Sequence, residues 1–463
     1  MIQIRPRQII ILGIPLLLIF ISAFSIRGGY HQQAYQAVHD AVSPPPPPPK
    51  EELPLPRQPL YKDTSSIGPP LQIVENFPFA AAASKGSDLP PIPSWNKPPV
   101  PHVPEQTPLL IGFTRNWRLL QQVVVSYLTA GWPPEDIYVV ENTGTMNANA
   151  KGQLSLQNPF FLNHTRLHMF GVNVIATPTL LTFAQLQNFY VHTALEKNWD
   201  TFFWSHMDVT ALSWEDRVPY QSLYNNAVTS LRIALAPDYA PDGHWSLVLF
   251  SYDHLTLVKT SAYVEVGAWD TMIPFYHSDC DFYQRLSMAG YKGDSKPIAD
   301  LWDVASTLDD LEVLYRRTSS PPPSFTDPNK PEDENARRSL DSRKTEDWPE
   351  DTLNSSTYYA IKQVFDAMQN SKLNAAGGRN LWQARQSGGQ GEPFYRDPQG
   401  FEQAILMTIE HGRAVFAEKW GHRDCNIVDS GLRPDDAWQV EHDWDWYDKH
   451  PDQIPSPPKE EDN

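Results

Sequence analysis

The sequence has few cysteines and few basic residues, and both shortages exclude classes of protein. Among 463 residues there are two cysteines, Cys280 and Cys425, too few for a disulfide-dense scaffold or a zinc cluster of cysteine ligands. Lysine and arginine number 37 against 55 aspartates and glutamates, so the formal net charge is −18. Because that charge repels phosphates, we expect no nucleic-acid partner. Gly-x-Ser-x-Gly motifs and paired metal-binding histidines are missing too, which argues against a hydrolase.

Long apolar runs are absent beyond the N-terminus. Residues 8–26 carry no charge, and at about 1.5 Å per residue they would span roughly 28 Å, enough for the core of a bilayer. Arg5 and Arg7 precede this run, so the positive-inside tendency predicts a cytosolic tail at residues 1–7 and places the rest of the chain across the membrane. We expect an uncleaved signal anchor; a cleaved signal peptide is the alternative, because Pro15 interrupts the run.

Proline is abundant and unevenly placed. Of 44 prolines, 20 fall in residues 27–108, which predicts an extended, disordered stem there. Residues 319–351, rich in proline and charge, predict a disordered insertion. The main folded domain is expected at residues 109–318. A helical extension is expected at residues 352–463, and its acidic tail carries a net charge of −8 from residue 434 onward.

Short apolar runs alternate with helical patterns in the main domain. Strands are predicted near residues 109–113, 136–140, 173–177 and 201–204, with helices at residues 117–131 and 183–197. This alternation predicts an α/β fold with a mostly parallel sheet and helices on both faces, in which ligands bind at the carboxyl ends of the strands. Polar side chains follow three of these strands: Thr114, Arg115, Glu141, Asn142, His206 and Asp208.

Two carboxylates stand at the start of a later predicted helix. Ser278 is the expected N-cap of a helix that ends at Gly290, and Asp279 and Asp281 lie in its positive first turn. The sequence EVGAWD precedes this helix at residues 265–270. Taken alone, the two aspartates are explained by the stabilisation of a helix terminus.

The order of these motifs resembles that of the GT-A glycosyltransferases, and it is closest in pattern to glycosyltransferase family 2. EVGAWD followed by SDCDFYQRLSMAGYK is similar to the most specific segment of that family. The matching positions keep its order and near spacing: Gly267, Trp269, Asp270, Asp279, Asp281, Arg285, Gly290 and Tyr291. The resemblance covers about residues 109–303. It implies a Rossmann-like GT-A fold, a nucleotide-sugar donor, a divalent metal (Mn²⁺ or Mg²⁺), and a glycan, glycoprotein or glycolipid acceptor.

The resemblance also implies roles for the residues at the strand ends. Thr114, Arg115, Glu141 and Asn142 would contact the donor nucleotide. His206 and Asp208 stand where the family has Asp-x-Asp, so they would contact the donor and the metal. Asp279 would be the base of an inverting reaction, with Asp281 as a supporting carboxylate. A third metal ligand stays open among three candidates: Asp303, His411 and His422.

Several alternatives remain open at this point. A retaining transferase would not need Asp279 as a base. A non-catalytic carbohydrate-binding or scaffold protein on a degenerate transferase fold would explain why His206 replaces the first aspartate. Cys280 and Cys425 are either joined in a disulfide or free and buried. With an anchor and a proline-rich stem, the expected layout is that of a single-pass type II protein of the Golgi or ER membrane, with its folded domain in the lumen.

Overall fold

The computed structural model describes residues 58–62, 72–327, 349–376, 378, 380 and 387–445. The predicted cytosolic tail and signal anchor lie outside these ranges, as do residues 328–348 of the predicted insertion. Among the helices that are described, none combines the length and the apolar character needed to cross a membrane. The chain divides into two compact units, Met1–Gly68 and Pro69–Asn463, and the sheet and its helices belong to the second.

The described residues contain a mixed sheet of seven strands and a separate pair of strands. In chain order the strands are β1 (Leu109–Phe113), β2 (Ile137–Glu141), β3 (Asn173–Ala176), β4 (Thr201–Ser205), β5 (Val209–Leu212), β6 (Trp245–Phe250), β7 (Leu255–Lys259), β8 (Lys292–Ser295) and β9 (Asp300–Asp303). The large sheet has the order β3-β2-β1-β4-β7-β6-β8. Strands β1 to β4 are parallel, β7 is antiparallel to both of its neighbours, and β6 is parallel to β8. The prediction of an α/β fold with a mostly parallel sheet is confirmed.

Helices cover both faces of this sheet. In chain order they are α1 (Pro78–Ala82), α2 (Trp117–Thr129), α3 (His164–Met169), α4 (Phe183–Glu196), α5 (Leu223–Leu235), α6 (Thr260–Glu265), α7 (Ser278–Met288), α8 (Ser356–Leu373) and α9 (Pro398–Trp420). Their ends follow local chemistry. The side chain of Asn116 accepts a hydrogen bond from the backbone N–H of Leu119 at the start of α2, and Thr182 and Gln185 form a capping box at the start of α4.

The alternation of side chains along β1 divides the core into two clusters. Leu109, Ile111 and Phe113 pack with α2 and α5, whereas Leu110 packs on the other face with α4, α6 and α7. Each of these side chains is fully buried, which stabilises the fold by about 1.5–3 kcal/mol per residue. Gly112 lets α4 approach closely, since a Cβ there would lie 2.6 Å from Cδ2 of Leu186.

The folded unit begins earlier than the expected boundary at residue 109. Phe77 is fully buried in the same cluster as α2, and the side chain of Asn76 accepts a hydrogen bond from Gln121 at 3.1 Å. The backbone C=O of Asn76 accepts a hydrogen bond from the N–H of Leu311 at 2.9 Å. Residues 72–108 of the predicted stem are therefore packed on the domain, because apolar and amide side chains between the prolines supply contacts that composition alone does not reveal.

Helices α8 and α9 pack on the same unit. Helix α8 lies against β9 and buries Phe365 and Met368 in the main core. Helix α9 ends at Trp420, which is buried beside α7. A disulfide between Cys280 of α7 and Cys425 joins this region, with the two Cα atoms 5.0 Å apart. Of the two states that the sequence left open for these cysteines, the structure has the disulfide.

Candidate functional site

Strands β1, β2 and β4 are parallel, so their carboxyl ends meet at one edge of the sheet. Glu141 ends β2 and is buried. Its carboxylate accepts hydrogen bonds from Asn149 at 2.7 Å and Thr143 at 3.1 Å, and Nε2 of His164 lies 2.7 Å away. Burial alone would raise the pKa of Glu141, but these partners outweigh it and lower the pKa. The bonds of Glu141 thus fix the loop after β2.

The next residue, Asn142, has a structural role. Its side chain accepts a hydrogen bond from the N–H of Leu181 at 2.7 Å and donates one to the C=O of the same residue at 2.9 Å. This exchange fastens the segment that leads into α4. The predicted contact between Asn142 and a donor nucleotide stays a prediction, with the amide group already engaged by the backbone.

The end of β1 is covered by the C-terminal extension. Thr114 is half-buried and Arg115 is buried, with its guanidinium carbon 5.0 Å from the centre of the Phe401 ring. Burial, together with the like charge of Arg396, lowers the pKa of Arg115 to about 10. Arg396 itself donates a hydrogen bond to the C=O of Thr143 at 2.9 Å. The start of α9 therefore lies over the strand ends where the sequence predicts a nucleotide site.

His206 follows β4 and faces the turn between β6 and β7. Its Nε2 lies 3.4 Å from the carboxylate of Asp253, and its ring stacks on Phe183 with the ring centres 6.0 Å apart. Burial disfavours the imidazolium, but the charge of Asp253, aided by Asp208 and Asp303, outweighs it and raises the pKa of His206. A protonated His206 provides a positive charge at the edge of the sheet.

Asp208 is engaged by a lysine from far along the chain. Strands β5 and β9 pair in a register that sets Val209 opposite Asp303, which brings the carboxylates of Asp208 and Asp303 together. The Nζ of Lys372 in α8 lies 2.7 Å from Asp208 and also forms an ion pair with Asp303. Burial disfavours each charge, yet the attraction between them lowers the pKa of Asp208 and raises the pKa of Lys372.

These residues do not fit a divalent metal. The ammonium of Lys372 lies between the two carboxylates that would have to share the ion, and His206 is paired with Asp253. Across the part of the chain that the structure describes, no group of three histidine, cysteine, aspartate or glutamate side chains is arranged to hold a metal. The resemblance implied that Asp208 and His206 ligate Mn²⁺ or Mg²⁺. In the structure the carboxylate of Asp208 is instead paired with the ammonium of Lys372.

Of the three candidates for a third metal ligand, two are held by other side chains and one is exposed. Asp303 lies beside Asp208 but pairs with Lys372. His411 is exposed on α9. His422 forms contacts with Asp443 and with Asn426, whose side-chain oxygen lies 2.8 Å from Nε2.

The two aspartates of α7 occupy different environments. Asp281 is fully buried and accepts hydrogen bonds from Arg285 at 2.9 Å and Trp420 at 3.0 Å, while Nζ of Lys419 lies 2.7 Å away. Asp279 is half-buried, and its carboxylate accepts a hydrogen bond from the hydroxyl of Tyr252 at 2.9 Å. Asp281 anchors α7 and the end of α9, whereas Asp279 keeps a carboxylate that is reachable from solvent.

The turn between β6 and β7 connects the two parts of the site. Tyr252 contacts Asp279, and the adjacent Asp253 pairs with His206. Burial, the neighbouring Tyr263 and the charges of Asp253 and Asp279 raise the pKa of Tyr283, which indicates that both carboxylates lie near that phenol. Neither Tyr252 nor Asp253 is among the site residues predicted from the sequence. Their signal in the sequence is a short polar turn between two apolar runs, which is common in proteins of every function.

Comparisons with known proteins find only distant structural similarity. No family model matches the chain, and no curated protein matches it. The chain is similar to the mannosyltransferase PcManGT from Pyrobaculum calidifontis, solved with GDP-Man and Mn²⁺, with 12% identity, a TM-score of 0.29, and coverage of 44% of this chain and 58% of that one. It is also similar to S. aureus TarS, with 7% identity, a TM-score of 0.30, and coverage of 42% and 35%.

A third structure of this kind is a cytidylyltransferase from Leptospira borgpetersenii. Its identity is 13% and its TM-score 0.26, over 42% of this chain and 76% of that one. The chain thus spans 58% of the length of the mannosyltransferase and 35% of the length of TarS.

Proposed function

We propose that the chain is a glycosyltransferase that moves a sugar from a nucleotide-sugar donor to a hydroxyl of a glycan, glycoprotein or glycolipid acceptor. The observation that carries this proposal is the contrast between the two carboxylates of α7. Asp281 is neutralised by Lys419 and Arg285, whereas Asp279 is half-buried with a neutral donor, Tyr252, as its hydrogen-bonding partner. A carboxylate of the second kind is suited to accept a proton from a substrate hydroxyl.

The chemistry needs one base and one source of positive charge. As the acceptor oxygen forms a bond to the anomeric carbon, the bond from that carbon to the diphosphate breaks and the acceptor proton passes to Asp279. This direct displacement inverts the anomeric centre. The nucleoside diphosphate leaves with additional negative charge, which a protonated His206 at the end of β4 would stabilise. Tyr252 orients Asp279 through its hydrogen bond, and Asp281 holds the helix that carries it.

The location of the reaction is also a proposal. A signal anchor at residues 8–26 would place the domain in the lumen of the Golgi or ER, as the sequence predicts. The disulfide between Cys280 and Cys425 agrees with an oxidising compartment, because such bonds rarely persist in the cytosol.

The proposal is tested with the full chain produced in a secretory host. We would record thermal melting against a panel of nucleotide sugars, because a ligand that binds only the folded state raises the melting temperature. Turnover of the stabilising donor would then be measured against a pool of glycan acceptors. The decisive variant is Asp279→Asn. Its matched control is Asp294→Asn, since Asp294 is also half-buried and accepts a hydrogen bond from a tyrosine, Tyr239, at 3.2 Å.

We expect one nucleotide sugar to stabilise the wild type and both variants. Turnover should fall by about 100-fold or more in Asp279→Asn and stay unchanged in Asp294→Asn. Turnover that survives in Asp279→Asn would favour a retaining transferase. Donor binding without turnover on any acceptor would favour a non-catalytic binding protein, and no stabilisation by any nucleotide sugar would contradict the proposal.

A further inference from the structure

A buried ammonium lies where the sequence predicts a metal. Lys372 is 2% exposed, and its Nζ bridges the carboxylates of Asp208 and Asp303. These carboxylates come from the residue before β5 and the last residue of β9, so a single cation joins both strands of the small sheet. A lysine is rarely buried to this extent without paired charges, and here two carboxylates supply them.

The position of Lys372 is fixed by the contacts of its own helix. One turn before it in α8, Gln369 accepts a hydrogen bond from the N–H of Asp303 at 3.1 Å. Further back, Asp366 accepts one from the indole of Trp302 at 2.7 Å. Helix α8 is therefore registered against β9 by bonds that do not involve the ammonium. The backbone of Lys372 is therefore held in place beside the two carboxylates by these other hydrogen bonds.

The charges in the cluster explain why a cation is needed there. Asp208 and Asp303 share Lys372 as a partner, so without it their negative charges would repel each other, and they would also repel an anionic diphosphate approaching the edge of the sheet. The positive charge of the Lys372 ammonium compensates one of these two negative charges. A divalent ion that entered between the carboxylates would have to displace the buried ammonium from both of its ion pairs, and the attraction within those pairs would be lost.

We propose that Lys372 is the resident cation of this site, and that the protein carries out its chemistry without a divalent metal between Asp208 and Asp303. Lys372 is a positioning residue: it acts through the two carboxylates, which it holds together and partly neutralises beside the bound diphosphate. The statement that the chemistry proceeds without a divalent metal rests on the proposed glycosyl transfer. The statement that Lys372 is the resident cation does not rest on it, because that statement follows from the two ion pairs alone.

The test measures metal binding before any activity. Binding of Mn²⁺ to the full chain is followed by electron paramagnetic resonance and by thermal melting with and without Mn²⁺. The variant Lys372→Ala removes the ammonium, and Lys372→Arg keeps a cation at the same position. The matched control is Lys362→Ala, because Lys362 lies on the same helix and its Nζ lies 2.7 Å from Asp300.

We expect the wild type, Lys372→Arg and Lys362→Ala to have no Mn²⁺ site that depends on Asp208. Lys372→Ala should gain one such site per chain, and the double variant Lys372→Ala/Asp208→Asn should lose it. If Lys372→Ala does not fold, comparison of the wild type with Asp208→Asn still decides: a tight Mn²⁺ site in the wild type that Asp208→Asn abolishes overturns the inference. A folded Lys372→Ala that gains no site overturns it as well.

Activity separates this inference from the proposed function. If the wild type transfers sugar at the same rate with EDTA as with Mn²⁺, both stand. If transfer stops in EDTA and returns with Mn²⁺, the resident-cation inference is overturned while the transferase function stands. If no sugar is transferred under any condition but the Mn²⁺ results are as expected, the transferase proposal fails and the assignment of Lys372 as resident cation stands.

Discussion

Replacing Asp281 with asparagine isolates what a buried charge contributes to this fold. The Asp281 side chain is fully buried and meets two cations, Arg285 with two contacts of 2.8 and 2.9 Å and Lys419 at 2.7 Å. It also accepts a hydrogen bond from the indole N–H of Trp420 at 3.0 Å. Asparagine has nearly the same shape, but it loses the negative charge and presents an amide donor to groups that are all donors.

The structure limits how large the effect should be. Removing one partner of a buried ion pair costs about 3–5 kcal/mol, because the other charge is left uncompensated. Here Lys419 would keep Asp270, whose carboxylate lies 2.7 Å away, and Arg285 would keep its hydrogen bond to the C=O of Ala268 at 2.6 Å. We therefore expect a loss near the lower end of that range, about 3 kcal/mol in the free energy of unfolding.

The assay is equilibrium unfolding in urea under non-reducing conditions, followed by tryptophan fluorescence. The control is Asp279→Asn, two residues earlier in the same helix turn, where a single hydrogen bond from Tyr252 is affected. The free energy of unfolding of Asp279→Asn should fall by no more than about 1 kcal/mol. Equal midpoints for Asp281→Asn and the wild type, or an equal loss in both variants, would refute the assignment of Asp281 to structure and Asp279 to chemistry.

Two further predictions concern the first strands. Because the pKa of Glu141 is lowered in the fold, its contribution is complete above the pKa of an unfolded glutamate, about 4.3, and is lost as the pH falls through the folded value. The urea midpoint of Glu141→Gln should therefore fall less between pH 5 and pH 3 than that of the wild type; parallel curves would contradict this. Gly112→Ala should cost about 1–3 kcal/mol in the same assay, because the new methyl would crowd Leu186, 2.6 Å away, and wild-type stability would show that α4 shifts freely.

Much of the fold was predictable because its signals are local. The buried strand at residues 109–113 and the helices after it follow from apolar periodicity and capping residues, and each matches the structure closely. The packing of residues 72–108 was not predictable. Phe77 and Asn76 are two side chains in a proline-rich segment, and their burial depends on partners more than 40 residues away, such as Gln121.

The candidate site also has features that the sequence predicts and features that it does not. Parallel strand order predicts that His206 and Glu141 lie at one edge of the sheet, and the structure agrees. Lys372 carries no signal of its own, since it is one lysine near the end of an amphipathic helix, 164 residues from Asp208. The separate roles of Asp279 and Asp281 also depend on distant residues, because it is Lys419 and Trp420 that bury one carboxylate and not the other.

The disulfide between Cys280 and Cys425 makes part of the chain a covalent ring. Its two cysteines are 145 residues apart, and the ring includes the whole of α8 and α9. A single peptide-bond cleavage anywhere between them opens the ring without dividing the molecule. Where the cleavage falls between Cys280 and Lys372, the disulfide is the covalent link that keeps Asp279 and Lys372 in one molecule, and its reduction would leave them on two separate chains.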